Sequence, residues 1–154
     1  MKKRNVILIM MIAVMLFAFC ACGADNNFIE PPAHAISYET ASSSNELVYT
    51  DDGDVMVILK VDMENLLTWN CSIEDESCIT LKEQYMLKSN DSDEKNIYHI
   101  FVFDGLKPCE EVKVNLYKTD KDGNTGFNGE RIFAMEVFED LTANVVWGRL
   151  VVRS

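Results

Sequence analysis

The chain has 154 residues and a formal net charge of −11, and 25% of its residues are charged. This length allows one modest folded domain after a leader. The acidic balance and the lack of a basic patch exclude nucleic acid as an expected partner.

The N-terminus has the features of an export signal. Lys2, Lys3 and Arg4 form a basic start, and the apolar run 6–21 follows almost at once. This run is shorter than the roughly 20 residues that span a bilayer, and no basic stop-transfer cluster comes after it. Residues 1–21 are therefore predicted to be a signal peptide. Its removal changes the formal charge from −11 to −14, because it takes away three positive charges and no negative one.

The end of the apolar run, FCACG, resembles the lipobox of bacterial lipoproteins, in which a small residue precedes a Cys that becomes the lipidated N-terminus. Cys22, between Ala21 and Gly23, is the predicted lipidation site. Cys20 fits less well because the bulky Phe19 precedes it. A diacyl anchor holds a protein on a membrane far better than a single chain does. The expected location is the outer side of the cell membrane. The alternative to a lipoprotein signal is a plain signal peptide that is cleaved near the same point.

Residues 22–46 are predicted to form a flexible linker after the lipidated Cys. They are rich in Ser, Ala, Asn and Pro and have no sustained apolar period. A flexible segment of this length has an r.m.s. span of roughly 25–30 Å. The chain has only two histidines, His34 and His99. No histidine-based metal site, no cofactor and no enzymatic activity are therefore expected.

Residues 47–154 have the pattern of an all-β domain. Short runs alternate with period two or are dense in β-branched residues, and turn-forming stretches such as DDGD and SNDSDEK separate them. One run places Ile97, His99, Phe101 and Phe103 on one face, and Tyr98, Ile100 and Val102 on the other. The sequence predicts an immunoglobulin-like β-sandwich of about seven strands. The predicted strands are 54–61, 66–73, 78–87, 97–103, 111–118, 131–139 and 144–152.

Three cysteines, Cys71, Cys78 and Cys109, belong to this predicted domain. An odd number allows at most one internal bridge. Cys71–Cys78 and Cys71–Cys109 are both compatible with the sequence, and so are three buried free thiols. None of the three has a basic neighbourhood, so a nucleophilic role is not expected. Trp69 is expected in the core, and the phenylalanines expected in the core or in cross-strand packing are Phe101, Phe103, Phe133 and Phe138.

The order of motifs from residue 55 to 139 resembles the chagasin-like family of cysteine-protease inhibitors. Trp69 and the following SIEDESCITL are similar to a Trp, an acidic turn and an Ile-x-Leu run in that family. The run IFVFDGLKPC is similar to an aromatic strand that enters a Leu-Lys-Pro-Gly turn, with Cys109 in the Gly position. Tyr117 stands where the family carries a Tyr before its third loop. The resemblance implies a sandwich that blocks papain-like proteases with three loops at one end.

The residues that align with the three inhibitory loops differ from the family's motifs. The first loop lacks the Asn-Pro-Thr-Thr-Gly motif, the second lacks its glycines, and the third lacks Arg-Arg-Pro-aromatic. Glycine allows close backbone approach, and aromatic anchors dominate many interfaces, so altered binding is expected. Phe127 is the candidate for a displaced anchor. The predicted partner-binding residues are Asp62, Met63, Glu64, Asn65 and Leu66, then Glu94, Lys95, Asn96 and Ile97, and finally Lys118, Thr119, Asp120, Lys121 and Phe127.

Three functions are compatible with these observations. The first is a lipid-anchored inhibitor of papain-like cysteine proteases. The second is a non-inhibitory immunoglobulin-like binding or structural lipoprotein that uses the same loops. The third is a calcium-stabilised domain, suggested by Asp120, Asp122 and Asn124 on alternate positions. That spacing fails the calcium-loop pattern at its sixth and twelfth positions, which hold Thr125 and Arg131 in place of Gly and Glu. No metal ligand is therefore predicted.

Overall fold

The computed structural model describes residues 28–61, 67–90 and 96–151. The predicted signal peptide and the predicted lipidation site, Cys22, lie outside the described residues. Among the residues that are described, none of the helical structure is both long enough and apolar enough to cross a bilayer.

One short helix and eight strands make up the described chain. The strands follow the alternating apolar runs of the sequence, because alternation buries one face of each strand. The helix is capped by Ser37, whose hydroxyl accepts a hydrogen bond from the Thr40 N–H at 3.2 Å. The elements are α1 (Tyr38–Ser43), β1 (Leu47–Tyr49), β2 (Val55–Lys60), β3 (Thr68–Ile73), β4 (Ile79–Lys88), β5 (Ile97–Gly105), β6 (Cys109–Thr119), β7 (Glu130–Val137) and β8 (Ala143–Val151).

The strands form two antiparallel sheets that pack face to face. Sheet 1 has the order β1-β2-β5-β4, and sheet 2 has the order β3-β6-β7-β8. The predicted all-β sandwich is confirmed. It has one strand more than the seven predicted, because Leu47–Tyr49 pairs with Val55–Val57 at the edge of sheet 1.

The main core lies between the two sheets. Phe101 and Phe103 of β5 are fully buried there, and Trp69 and Phe133 are 4% and 3% exposed. These four aromatic residues are in the core as predicted. The prediction is wrong for Phe138, which is 46% exposed because it follows the end of β7 in the turn toward β8. Apolar residues that complete this core include Val55, Val57, Leu59, Ile79, Val112, Val114, Leu116 and Met135.

A second apolar cluster covers the outer face of sheet 1. Residues 28–46 lie against this face, with Ala41 of α1 only 1% exposed. The Met86 N–H donates to the Ile29 carbonyl oxygen at 2.8 Å, and the Ile58 N–H donates to the Glu46 carbonyl oxygen at 2.8 Å. The prediction of a flexible linker is therefore wrong for residues 28–46, because they bury apolar side chains and pair with strand backbone. Residues 22–27 of that predicted linker lie outside the described part of the chain.

The three cysteines of the domain carry free thiols. Neither of the two bridges that the sequence allowed, Cys71–Cys78 and Cys71–Cys109, is formed. Cys78 is buried, and Cys71 and Cys109 are half-buried. All three pack with the apolar side chains of the main core, as expected for a small apolar side chain.

Candidate loop-end binding site

The stems of three strand connections lie at one end of the sandwich, which we call the loop end. The connections are residues 61–67 between β2 and β3, 89–96 between β4 and β5, and 120–129 between β6 and β7. In sheet 1, the register pairs Lys60 with Tyr98 and Lys88 with Ile97. In sheet 2, Thr68 pairs with Thr119. The short β2–β3 connection joins the sheets, so all these strand ends lie on the same side of the molecule.

The first two connections are described only at their stems. Asp62, Met63, Glu64, Asn65 and Leu66 of the first loop, and Glu94 and Lys95 of the second, lie outside the described residues. Asn96 and Ile97 are half-buried, and Ile97 already belongs to β5. The Val61 N–H donates to the Ile97 carbonyl oxygen at 2.8 Å. Ile97 is therefore part of the rigid stem that joins the first two loops, not of a loop tip.

The third connection is closed on itself by Asp120. One carboxylate oxygen of Asp120 accepts hydrogen bonds from the N–H groups of Asp122 and Asn124, each at 2.9 Å, and the other accepts from the Asn124 side-chain amide at 2.8 Å. These bonds favour the charged carboxylate and lower the pKa of Asp120. Gly123, with φ of +80°, supplies the left-handed residue that this tight turn needs. The alternation of Asp120, Asp122 and Asn124 thus reflects a side-chain-closed turn.

The closed turn leaves charged side chains at the tip of the third connection. Lys121 and Asp122 are exposed, whereas Phe127 is half-buried further along the connection. Within the described ranges, no group of three His, Cys, Asp or Glu side chains is placed to hold a metal ion. The arrangement offers a polar tip and an apolar flank to a partner.

Lys118 and Thr119 lie on the stem and join the third loop to the first. The Lys118 Nζ lies 4.9 Å from the centre of the Trp69 ring, in cation–π geometry. The Trp69 indole N–H in turn donates to the Lys60 carbonyl oxygen at 2.9 Å, just before the first loop. The Thr119 hydroxyl oxygen accepts from the Asn70 side-chain amide at 2.7 Å. These contacts fix the positions of two loop stems relative to each other.

A cleft of about 280 Å³ opens between the edges of the two sheets beside these stems. His99 lies at this cleft and is 1% exposed, and neither of its ring nitrogens has a hydrogen-bond partner within the described residues. Burial lowers the pKa of His99 to about 4, so the ring is neutral at pH 7. The sequence patterns did not indicate this cleft, because its walls come from four different strands. Its other lining residues are Ile29, Thr68, Trp69, Asn70, Gln84 and Thr119.

Of the predicted binding residues, the structure brings Asn96, Ile97, Lys118, Thr119, Asp120 and Lys121 to the loop end, with Phe127 in the same connection as the last two. No protein-family model matches the sequence, and no curated protein and no solved structure matches this chain. The resemblance to the chagasin-like family therefore rests on the sequence motifs alone.

Proposed function

We propose that this chain is a lipid-anchored inhibitor of papain-like cysteine proteases, and that it binds the protease through its loop end. The single observation that carries the proposal is the convergence of the stems of three strand connections at one end of a sandwich. The resemblance in sequence implies that the inhibitory loops are these three connections. In this proposal the three loops act as a wedge that enters the protease cleft, and a wedge that is rigid before binding loses little conformational freedom on binding.

The stem contacts support a rigid wedge. Trp69 is held by its bond to Lys60 and by the Lys118 ammonium group above its ring. The third loop is held by the three hydrogen bonds of Asp120. Phe127, in the same connection, is the side chain that offers apolar contact area, and aromatic residues are enriched among those that dominate binding energy. The wedge holds no catalytic group in this proposal, so inhibition would follow from blocking access.

An inhibition assay with papain tests the proposal. The full chain, kept soluble in detergent, is titrated against papain acting on a fluorogenic peptide, and its fold is checked by circular dichroism. We expect inhibition in the micromolar range or tighter. A folded chain that leaves papain fully active at these concentrations would exclude the inhibitor function for this enzyme.

Two loop variants locate the contact. Phe127→Ala should weaken inhibition about tenfold or more, because it removes the aromatic anchor. Asp122→Ala should change it no more than about twofold, since an exposed rim charge contributes little. Leu106→Ala is the matched control, because Leu106 is 49% exposed just after β5, at the end of the sandwich away from the loops. Equal losses from the Phe127 and Asp122 changes, or a melting temperature that depends on calcium, would contradict this assignment.

The charged tip favours a second candidate function, a non-inhibitory binding lipoprotein at the cell surface. Lys121 and Asp122 are exposed at the tip of the third loop, and such side chains suit a polar surface better than a protease cleft. If papain stays active while the full chain binds intact cells in a manner sensitive to Lys121→Glu, this second function replaces the first.

A further inference from the structure

Cys78 and Cys109 are brought together at the end of the sandwich opposite the loop end. Cys78 immediately precedes β4 of sheet 1, and Cys109 is the first residue of β6 of sheet 2. The N–H groups of Leu106 and Lys107 donate to the Cys78 carbonyl oxygen at 2.8 and 3.2 Å. These bonds fold the β5–β6 connection over Cys78 and carry Cys109, two residues later, into the same apolar cluster.

Cys109 and Asp75 are the two neighbours of the Cys78 thiol. Cys109 packs against the same apolar cluster as Cys78, and the Cys78 thiol donates to an Asp75 carboxylate oxygen at 3.4 Å. Burial, followed by these two neighbours, raises the pKa of Cys78. Cys71 is different: its thiol lies mid-strand on β3, and burial and the charge of Glu76 raise its pKa without any contribution from another thiol.

Cys109 is not in its position because the backbone needs a glycine there. In the family that the sequence resembles, the corresponding turn ends in Gly, but Cys109 does not have a positive φ. Its side chain is half-buried, and it lines a surface recess of about 350 Å³ between the start of β6 and the end of β7 with the turn after it. The recess makes Cys109 reachable by a small oxidant, while Cys78 is buried.

We propose that Cys78 and Cys109 form a disulfide that ties sheet 1 to sheet 2 at the end opposite the loops, and that Cys71 remains a free thiol. The oxidant is a small-molecule or protein disulfide. The Cys109 thiolate attacks one sulfur of that disulfide and releases one thiolate. The Cys78 thiolate then attacks the Cys109 sulfur of the mixed disulfide and releases the second. The two cysteines lose two electrons and two protons in total, and the oxidant becomes two thiols.

The surroundings of Cys109 indicate which oxidant to use. Three glutamates, Glu110, Glu136 and Glu139, line its recess, so an anionic disulfide such as oxidised glutathione would be repelled at low salt. Cystamine is a small disulfide with two positive charges, and it is the better probe. The bridge would close a loop of about 30 residues and join the two layers at the end opposite the loop end.

The experiment is cystamine oxidation of the purified full chain in detergent, followed by maleimide blocking under unfolding conditions, proteolysis and mass spectrometry. We expect a peptide pair joined through Cys78 and Cys109 and two hydrogens lighter than the two reduced peptides together. Cys71 should carry maleimide. The modification state of Cys20 and Cys22 is measured on the separate N-terminal peptide that contains both. If Cys78 and Cys109 both carry maleimide after oxidation of a natively folded chain, or if the bridge contains Cys71, the proposal is wrong.

Thermal unfolding gives an independent readout. Oxidation should raise the melting temperature by about 10 °C or more, because a bridge over a loop of this length stabilises strongly. Cys109→Ala should abolish the rise. Cys71→Ala, the matched control, should keep it. A rise of the same size in the Cys109 variant would overturn the proposal, and the mass spectrum of the wild-type chain decides the matter if that variant does not fold.

Discussion

His99 should make this fold sensitive to mild acid. Its ring is 1% exposed, packs on Phe101 with ring centres 4.2 Å apart, and has no hydrogen-bond partner among the described residues. Burial lowers its pKa from 6.5 to about 4. Between these two pH values His99 is protonated in the unfolded chain and neutral in the folded chain. The contribution of the neutral His99 ring to the free energy of unfolding is therefore fully present above about pH 6.5, and it is lost as the pH falls toward 4.

The size of the effect follows from the shift in pKa. Each pH unit is worth about 1.4 kcal/mol, so His99 should remove roughly 3 kcal/mol of unfolding free energy by pH 4. This is a large part of the stability of an ordinary domain, about 5–15 kcal/mol. Carboxylates also titrate in this range. The informative quantity is therefore the difference between the wild-type chain and a variant that lacks only this ring.

Urea unfolding at pH 7 and pH 4 measures that difference. His99→Leu replaces the ring by an apolar side chain of similar size that does not titrate. On acidification this variant should lose roughly 3 kcal/mol less unfolding free energy than the wild-type chain. His34→Ala is the matched control, because the side chain of His34 is 77% exposed, and it should lose as much as the wild-type chain does. If His99→Leu and the wild-type chain lose the same free energy between the two pH values, the burial argument is refuted.

Two further substitutions test packing outside the loop end. Ala41→Asp places a charge in the contact between α1 and sheet 1, where Ala41 is 1% exposed, and should cost about 2 kcal/mol or more of unfolding free energy, measured with urea. Ser42→Asp, at the exposed neighbouring position, is the control and should cost under about 0.5 kcal/mol. Equal costs would mean that the helix does not pack on the sheet. Gly148→Ala would bring a methyl group to 2.8 Å from the Phe133 ring and should cost about 1–3 kcal/mol; an unchanged melting temperature would show that the ring can yield.

The strands could be predicted from the sequence because each carries its own pattern. The run that became β5 is dense in apolar and aromatic residues, and its predicted bounds begin at the observed residue. β1 was missed because its three residues are too few to show a period. The cover of sheet 1 was also missed, although β5 carried the signal: Tyr98, Ile100 and Val102 make its second face apolar as well. A sheet with two apolar faces must be covered on both, and residues 28–46 supply part of that cover.

The loop end was predicted from a resemblance, and its chemistry came only with the structure. Asp120, Asp122 and Asn124 have a spacing that calcium loops and side-chain-closed turns share, and the sequence alone does not show which atoms the carboxylate meets. In the sequence, His99 appeared as one of several residues on one face of a predicted strand. That it lies beside a cleft depends on Asn70 and Gln84, which come from strands distant in sequence, so no local pattern could indicate it.

The docking of residues 28–46 has a consequence for where a partner can approach. The Phe28 ring lies beneath the Lys88 ammonium group, 5.0 Å away, and Lys88 ends β4 at the loop end. If Cys22 carries the lipid, only residues 23–27 separate it from this attachment point, a reach of at most roughly 20 Å when fully extended. The lipid would then be attached through a short tether beside the loops, and the bilayer surface would limit the directions from which a partner can reach them. A partner would have to enter sideways, along the membrane.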